Sequence, residues 1–411
     1  MIRLLIAAGL VSGLLMTAAC GGRTPPGDAS RIDADLVAAL VPADATAAAR
    51  AVDDFAFDLL DDLASPRDKA VETGPNVITS PLSVAVLLAM ISAGADGDTA
   101  AEMADVLGLR EGGDPRVGAL LRKLADTEDV TLSVANALYS DGPLEDDYVS
   151  FVRRTFGATL KEADLGSAEA ARAIDDWVGE NTNGRIDKIA AELGLPDPQA
   201  VLVLLNTVYF LGEWTTSFDE DDTRPAPFTT PGGPVDVPTM HLTGESFLHT
   251  QRDGYRMVRL PYGEDGRFGM EIVLPEPGAT GDIDATEWHA AVDSLVPTKI
   301  DELALPRFEL RWSAELNEPL ERLGMPTAFQ PERADFRPMS PAAPALSSVV
   351  HKTYIKVDER GTEAAAVTGG VMTTSALANP MDFRVDRPFL FTISDRDTGT
   401  ILFLGRVTDP R

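Results

Sequence analysis

Side chains that could act as nucleophiles, general bases or metal ligands are few and widely spaced in this sequence. The chain has one cysteine, Cys20, and its four histidines are His241, His249, His289 and His351. A single cysteine cannot form an intramolecular disulfide, and histidines so far apart match no compact metal-binding motif. Ser80 and His351 could pair in a hydrolase, but no nucleophile-elbow glycines flank Ser80, and Pro81 places it at a helix start. We therefore expect no catalytic residue, no metal and no cofactor.

The charge of the chain restricts its possible partners. Among 411 residues, 35 are basic and 65 acidic, which gives a net charge of −30. Phosphate backbones and anionic lipid headgroups repel such a chain, so nucleic acid is not an expected partner. The hydrophobic share of 44% and the charged share of 24% are ordinary for a globular protein, and we expect a monomer.

The N-terminus has the layout of an export signal. Arg3 precedes an apolar run, which ends in small residues directly before Cys20. This order resembles a bacterial lipoprotein signal, in which the cysteine is lipidated. We expect an export signal over 1–19, and lipidated Cys20 with a flexible tether over 20–42. The protein would then be a cell-membrane lipoprotein facing outside or the periplasm, held only by its lipid. A plain secretory signal, giving a secreted protein, is the alternative.

Hydrophobic periodicity after the tether predicts one large α+β domain over 43–411, with no internal repeat and no linker. Helices are predicted over 43–63, 82–93, 100–107, 147–156, 168–180 and 315–323, and strands over 76–80, 130–139, 201–211, 254–260, 268–274, 302–310, 390–393 and 401–404. The nearly continuous apolar run at 201–211 predicts a strand buried on both faces. Proline and glycine clusters between the later strands favour antiparallel pairing.

One segment of about twenty residues has no clear element of its own. It spans 361–380 and lies between the apolar runs Tyr354–Val357 and Phe389–Phe391. Small side chains alternate within it: Thr362, Ala364, Ala366 and Thr368 share one face, and Glu363, Ala365 and Val367 the other. On a strand, the small face could be buried while the face with Glu363 points to water. The pattern therefore predicts an exposed loop that could become a strand of a buried sheet.

This segment and its surroundings resemble the serpin family. The matching motifs occur in family order over about 43–410: Asn76–Ser83, Asn181–Ile186, Leu205–Phe210 with Trp214, Val237–Met240, Val350–Lys352, the hinge-like Val357–Ala366 and the C-terminal signature Phe383–Ile393. The resemblance implies a single α+β serpin-like domain with mixed, mainly antiparallel sheets surrounded by helices. It also implies an exposed reactive-centre loop at about 359–383.

The resemblance implies a suicide-substrate inhibitor rather than an enzyme. Serpins are inhibitors of serine and some cysteine proteases, and the target consumes them by cutting the loop and forming an acyl-enzyme. The freed loop then enters the central sheet as a strand and distorts the protease before deacylation. The alternative is a non-inhibitory, serpin-fold binding or carrier lipoprotein. Such members commonly lose the small hinge residues that this chain keeps.

Family roles transfer to this sequence residue by residue. The hinge comprises Glu359, Gly361, Thr362, Ala364, Ala365, Ala366 and Val367; the shutter comprises Ser80, Ser83, Asn206 and His351; the breach comprises Trp214, Arg307 and Glu359. The resemblance implies that Arg307 is the ion partner of Glu359. Without the resemblance to the family, Ser80 would be interpreted as an ordinary helix N-cap.

The reactive bond is predicted within about two residues. Counting from the hinge gives Ser375–Ala376, whereas counting back from the C-terminal signature gives Leu377. A serine would suit elastase-like or subtilisin-like proteases, and Leu377 or Met372 would suit chymotrypsin-like ones. No arginine or lysine lies between positions 360 and 384, so a trypsin-like target is not expected.

Overall fold

The computed structural model describes residues 42–65, 76–127, 129–279, 281–341, 345–362 and 381–411. These residues form eight α-helices and seventeen strands in three sheets. Within the described residues, no helix is both long and apolar enough to cross a bilayer. The predicted export signal, Cys20, and the loop positions 363–380 lie outside the described residues.

The helices occur mainly in the first half of the chain. They are α1 Pro42–Ala64, α2 Pro81–Ser92, α3 Gly97–Leu107, α4 Pro115–Ala125, α5 Asp146–Phe156, α6 Ala168–Asn181, α7 Ala285–Asp293 and α8 Asn317–Leu323. Local sequence fixes their ends. Pro81 occupies the first turn of α2 behind the N-cap Ser80. Gly108 and Gly157 end α3 and α5 in the left-handed conformation that glycine adopts without a Cβ penalty.

The strands form one sheet of six, one of seven and one of four. They are β1 Val77–Thr79, β2 Thr131–Ser140, β3 Thr159–Glu162, β4 Leu202–Glu213, β5 Arg224–Thr230, β6 Gly233–Thr243, β7 Ser246–Arg252, β8 Tyr255–Pro261, β9 Phe268–Pro275, β10 Val296–Lys299, β11 Glu302–Pro306, β12 Phe308–Glu315, β13 Val350–Asp358, β14 Gly361–Thr362, β15 Asp382–Arg384, β16 Phe389–Asp395 and β17 Ile401–Val407. The six-stranded sheet has the order β12-β13-β14-β4-β2-β3, the seven-stranded sheet β1-β17-β16-β9-β8-β7-β10, and the four-stranded sheet β15-β11-β6-β5. Most neighbouring strands are antiparallel, as expected; β2 with β3 and β11 with β15 are parallel.

Two apolar clusters cover the two faces of the six-stranded sheet. The larger contains Phe210 and Ile355 of this sheet together with α1, α2 and the seven-stranded sheet. The smaller contains Ile174 and Trp177 of α6, packed with Val203 and other residues of β2 and β4. Helix α6 therefore lies across the sheet on the face opposite the main core.

Two strand predictions are wrong in detail. The run 201–211 forms a strand, but its positions alternate between buried and half-buried instead of being buried on both faces. Half-buried residues such as Leu204 and Val208 line a gap in the sheet, described below. The run 302–310 is not one strand, because β11 ends at Pro306 and β12 begins at Phe308 in a different sheet. Arg307 lies at this break.

Candidate functional site

A narrow cleft separates β4 from β13 in the middle of the six-stranded sheet. β4 pairs with β2 on its outer side, and β13 pairs with β12 on its outer side. Their facing edges are bridged at one end by the two residues of β14. Further along, within the described part of the chain, these edges have no strand partner, and the cleft between them measures about 70 Å³. The cleft is too small to hold a strand, so β4 and β13 must move apart before one can enter.

β14 already occupies the first two positions of such a strand. Gly361 and Thr362 pair in antiparallel register with both β4 and β13. A Cβ at position 361 would overlap the carbonyl oxygen of Gly212, so this close approach requires glycine. The Thr362 side chain is 2% exposed, and its hydroxyl lies 2.6 Å from the hydroxyl of Tyr262. Two of the predicted hinge residues, Gly361 and Thr362, therefore lie in the sheet at the end of the cleft.

The predicted breach residues meet just beyond β14. Arg307 Nη1 lies 3.4 Å from Glu359 Oε1, so the expected ion pair is present. The same carboxylate oxygen accepts a hydrogen bond from Thr223 Oγ1 at 2.7 Å. The indole Nε1 of Trp214 donates to the carbonyl oxygen of Asp358 at 2.9 Å. These contacts attach Asp358 and Glu359 to Trp214, which directly follows β4, to Thr223 and to Arg307.

The predicted shutter residues all line the cleft. The backbone N–H of Ser80 donates to His351 Nε2 at 3.0 Å, and Ser80 Oγ accepts from the N–H of Ser83 at 3.4 Å. Asn206 Nδ2 donates to Asn136 Oδ1 at 2.7 Å. The other amide atom, Asn206 Oδ1, is buried and has no partner among the residues described. Among the described residues, the predicted shutter thus includes one buried acceptor that makes no hydrogen bond.

Ser80 and His351 do not have the arrangement of a nucleophile and its base. The hydroxyl of Ser80 donates to the carbonyl oxygen of Leu402 at 2.8 Å, and the imidazole accepts from the Ser80 backbone instead. A serine nucleophile needs its hydroxyl hydrogen-bonded to the base. Burial lowers the pKa of His351 to about 4, so the ring is neutral near pH 7. The pair connects the start of α2 to β13.

Comparison with known proteins identifies the family. The family model described as "Serpin (serine protease inhibitor)" matches residues 50–410. The chain belongs to the serpin family. The six-stranded sheet with the cleft between β4 and β13 is accordingly part of a serpin fold. The described residues of this fold form eight helices and mixed, mainly antiparallel sheets.

Relatives of this serpin come from distant organisms. An uncharacterized serpin-like protein of Thermococcus kodakarensis is 38% identical over 377 residues, covering 88% of this chain and 85% of the relative. The leukocyte elastase inhibitor of Sus scrofa is 35% identical over 361 residues, covering 82% of this chain and 93% of the inhibitor. Among solved structures, the native state of the thermophilic serpin tengpin superposes with a TM-score of 0.76 at 27% identity, covering 88% of this chain and 94% of tengpin.

The structure brings together only part of the predicted site. Glu359 contacts Arg307 and Thr223, Thr362 contacts Tyr262, and the four predicted shutter residues line the cleft. The remaining hinge residues and the candidate reactive positions lie outside the described residues: Ala364, Ala365, Ala366, Val367, Met372, Ser375, Ala376 and Leu377. The sequence did not indicate Asn136 and Tyr262, which contact Asn206 and Thr362. A polar residue inside the alternating run 130–139 was the available signal for Asn136.

Proposed function

We propose that this serpin is a suicide-substrate inhibitor of serine proteases. A target would cut the loop after Thr362, and the freed segment would enter the cleft between β4 and β13 while the protease is still acylated. The observation that carries this proposal is the docked hinge, because Gly361 and Thr362 already pair with both strands. The facing edges beyond them, which have no strand partner within the described residues, would continue the same ladder.

The register of β14 indicates which loop residues would face the core after insertion. Thr362 lies opposite Gly212 and Val357, so position 364 would lie between Phe210 and Ile355 if the antiparallel register continues. Both of those side chains are buried. A small residue suits this position, because a large one would be overpacked between them. The alanine at 364 therefore fits the proposed insertion.

The same register would place Thr368 between Asn206 and His351. Asn206 Oδ1 is buried and without a hydrogen-bond partner within the described residues. A threonine hydroxyl arriving beside it could donate the missing bond. Because leaving a buried acceptor unsatisfied costs about 1–3 kcal/mol, this contact would favour the inserted state over the uncut one.

Insertion would release energy stored in the native state. About a dozen new residues in the sheet would add a similar number of ladder hydrogen bonds, each worth about 0.5–1.5 kcal/mol. The sum is on the order of 10 kcal/mol, comparable with the stability of a whole domain. The uncut protein would therefore be kinetically trapped.

The loop sequence limits the class of target. No arginine or lysine lies between positions 360 and 384, so the protease should not be trypsin-like. Ser375–Ala376 as the reactive bond favours an elastase-like or subtilisin-like enzyme with a small specificity pocket. Cleavage after Leu377 or Met372 would favour a chymotrypsin-like enzyme.

Incubation with pancreatic elastase, subtilisin and chymotrypsin tests the proposal. An inhibitor gives a covalent complex that survives heating in detergent, and mass spectrometry of the released C-terminal fragment identifies the reactive bond. A protease inactivated with an active-site reagent serves as the control and should form no complex. Cleavage of the loop by all three enzymes without any complex would support the binding or carrier alternative.

We also propose that the protein is exported and anchored by a lipid on Cys20, with the domain starting near residue 43. The support is the order of basic, apolar and small residues before that cysteine. Metabolic labelling with a fatty acid should label the wild type and not Cys20→Ser. Equal labelling of the two would contradict the anchor, and an unlabelled, fully released wild type would favour plain secretion.

A further inference from the structure

Three neighbouring strands of the seven-stranded sheet are buried on both faces and almost entirely apolar. Every residue of β9 and β16 is buried, and so are six of the seven residues of β17. An alternation of buried and exposed positions fixes the register of a strand that has one solvent face. These strands have no solvent face, so a shift by two residues would still place apolar side chains against apolar side chains. Their hydrophobic pattern therefore does not specify how the C-terminal hairpin of β16 and β17 pairs with β9.

The carboxylate of Glu271 in β9 is held by polar side chains of the strands on either side. Arg259 of β8 lies directly opposite Glu271, and Thr392 of β16 lies opposite it on the other side. Glu271 Oε1 accepts hydrogen bonds from the Arg259 guanidinium and, at 2.8 Å, from Ser394 Oγ. Its Oε2 accepts from Thr392 Oγ1 at 2.6 Å. Glu271 is completely buried, and both of its oxygens have a donor from β16 only in the observed register.

A second buried ion pair connects the end of β16 to α4. Arg267, directly before β9, donates through Nε to Asp395 Oδ1 at 2.6 Å. Its guanidinium also donates to the carbonyl oxygen of Lys123 in the last turn of α4, at 2.9 Å, and to that of Asp126, which follows the helix. The Asp395 carboxylate is completely buried and also accepts from the backbone N–H and the hydroxyl of Thr398. The pair therefore holds the turn between β16 and β17 against the end of α4.

These polar contacts do not tolerate the shift that the apolar residues would tolerate. A movement of the hairpin by two residues toward its turn displaces it by about 6.7 Å. Leu390 would then replace Thr392 opposite Glu271, and Asp395 would leave Arg267. A buried charge that loses its partner is strongly disfavoured. A shift by one residue would turn every polar side chain of β16 to the other face of the sheet.

We propose that this register cluster selects the one register in which the C-terminal hairpin enters the seven-stranded sheet. The cluster comprises Arg259, Arg267, Glu271, Thr392, Ser394 and Asp395. Replacing a buried ion pair by apolar side chains of similar size is often neutral or stabilising, so the charges contribute specificity more than stability. The inference is independent of the proposed inhibitory function, because no residue of the register cluster lines the cleft between β4 and β13.

Disulfide cross-linking between β1 and β17 measures the register. Val77 lies opposite Arg406 in the observed register and would lie opposite Thr408 after a two-residue shift of the hairpin toward its turn. Val77→Cys/Arg406→Cys therefore reports the observed register, and Val77→Cys/Thr408→Cys reports the shifted one. Both reporters carry Cys20→Ser, which removes the only other thiol. The proteins are unfolded in urea, refolded and oxidised, and mass spectrometry gives the cross-linked fraction.

The test compares the two reporters with the natural register cluster and with Arg259→Met/Glu271→Leu, which replaces one ion pair by apolar side chains. With the natural cluster, we expect the 77–406 cross-link alone. The double variant should still fold, and its 77–408 cross-link should increase at least ten-fold. Asp395→Asn, which keeps the shape of the side chain but removes its charge, should also increase the 77–408 cross-link.

Asp114→Asn is the matched control, because Asp114 is also a buried carboxylate paired with an arginine, Arg116, but lies at the start of α4 outside the sheets. It should lower the melting temperature without producing the 77–408 cross-link. An unchanged 77–408 cross-link in both cluster variants would overturn the proposal. Failure of Arg259→Met/Glu271→Leu to fold would also overturn it, since the charges would then be needed for stability rather than for the choice of register.

Discussion

Thr362 has space for its own side chain and for little more. It is 2% exposed, and its hydroxyl contacts that of Tyr262. In Thr362→Arg, the guanidinium must either be buried, at a cost of several kcal/mol, or hold the hinge out of the sheet. We expect this variant to be cut without forming a covalent complex, as measured by gel electrophoresis, while its native circular dichroism is unchanged. Thr362→Ser keeps the hydroxyl and should still trap protease. Wild-type trapping by the arginine variant would contradict the insertion argument.

His351 should make the stability of the native state depend on pH. Burial lowers its pKa from the ordinary value near 6.5 to about 4. As the pH falls from 7 to 4, the imidazole is protonated in the unfolded chain before it is protonated in the native state. The free energy of unfolding therefore decreases by about 3 kcal/mol over this range. His351→Gln removes the titrating group, so its free energy of unfolding should decrease by about 3 kcal/mol less than that of the wild type between pH 7 and 4. Urea unfolding at several pH values measures this difference. Parallel pH profiles for the two proteins would show that His351 titrates normally.

Single residues were predictable where a motif named them, but their partners were not. The sequence indicated Ser80, His351 and the Arg307–Glu359 pair, and the structure places each pair in contact. Tyr262 directly follows β8 and lies 100 positions before Thr362 in the sequence, so no local pattern links them. Contacts between distant segments depend on sheet order, which periodicity does not specify.

At the scale of elements, one buried carboxylate joins α1, α7 and β17. Asp53 Oδ1 accepts from the N–H of Ile401 at 2.9 Å, and its Oδ2 lies 3.3 Å from His289 Nε2. Burial raises the pKa of Asp53 to about 6, with a small contribution from Asp54, while the nearby His289 and the hydrogen bond from the Ile401 N–H act in the opposite direction. The native state therefore holds this proton more tightly than the unfolded chain does. Its stabilising effect is complete below about pH 4 and is lost as the pH rises through 6.

Asp53→Asn should remove that pH dependence while keeping an acceptor for Ile401. Relative to the wild type, the free energy of unfolding of the variant should increase by about 2 kcal/mol between pH 4 and 7. Chemical unfolding at several pH values measures the difference. A constant difference across the range would mean that Asp53 ionises at its ordinary pKa in the folded protein.

Elements with strong local signals were predicted closely, and those defined by distant pairing were not. The helix predicted at 168–180 is Ala168–Asn181, and the C-terminal hairpin is present as β16 and β17. The split at Arg307 was missed, because both sides of it have strand character and only sheet membership separates them. The half-buried side of β4 was missed for a similar reason, since the gap beside it is a property of the whole sheet.

At the scale of the whole molecule, cutting the loop should stabilise the protein. About a dozen added ladder hydrogen bonds, worth on the order of 10 kcal/mol in total, correspond to a rise in melting temperature of roughly 10–15 °C for a domain of this length. Differential scanning calorimetry before and after cutting by elastase measures this change. A protein cut outside the loop is the control and should show no such increase. An unchanged melting temperature would mean that the uncut state is not kinetically trapped.

A crystal structure of the elastase-cut protein would show whether the cut loop becomes a strand between β4 and β13. We expect a new antiparallel strand that continues from Gly361 and Thr362, with Ala364 between Phe210 and Ile355 and with Thr368 beside Asn206. A structure in which the facing edges of β4 and β13 remain unpaired and the cut segment extends into solvent would contradict it.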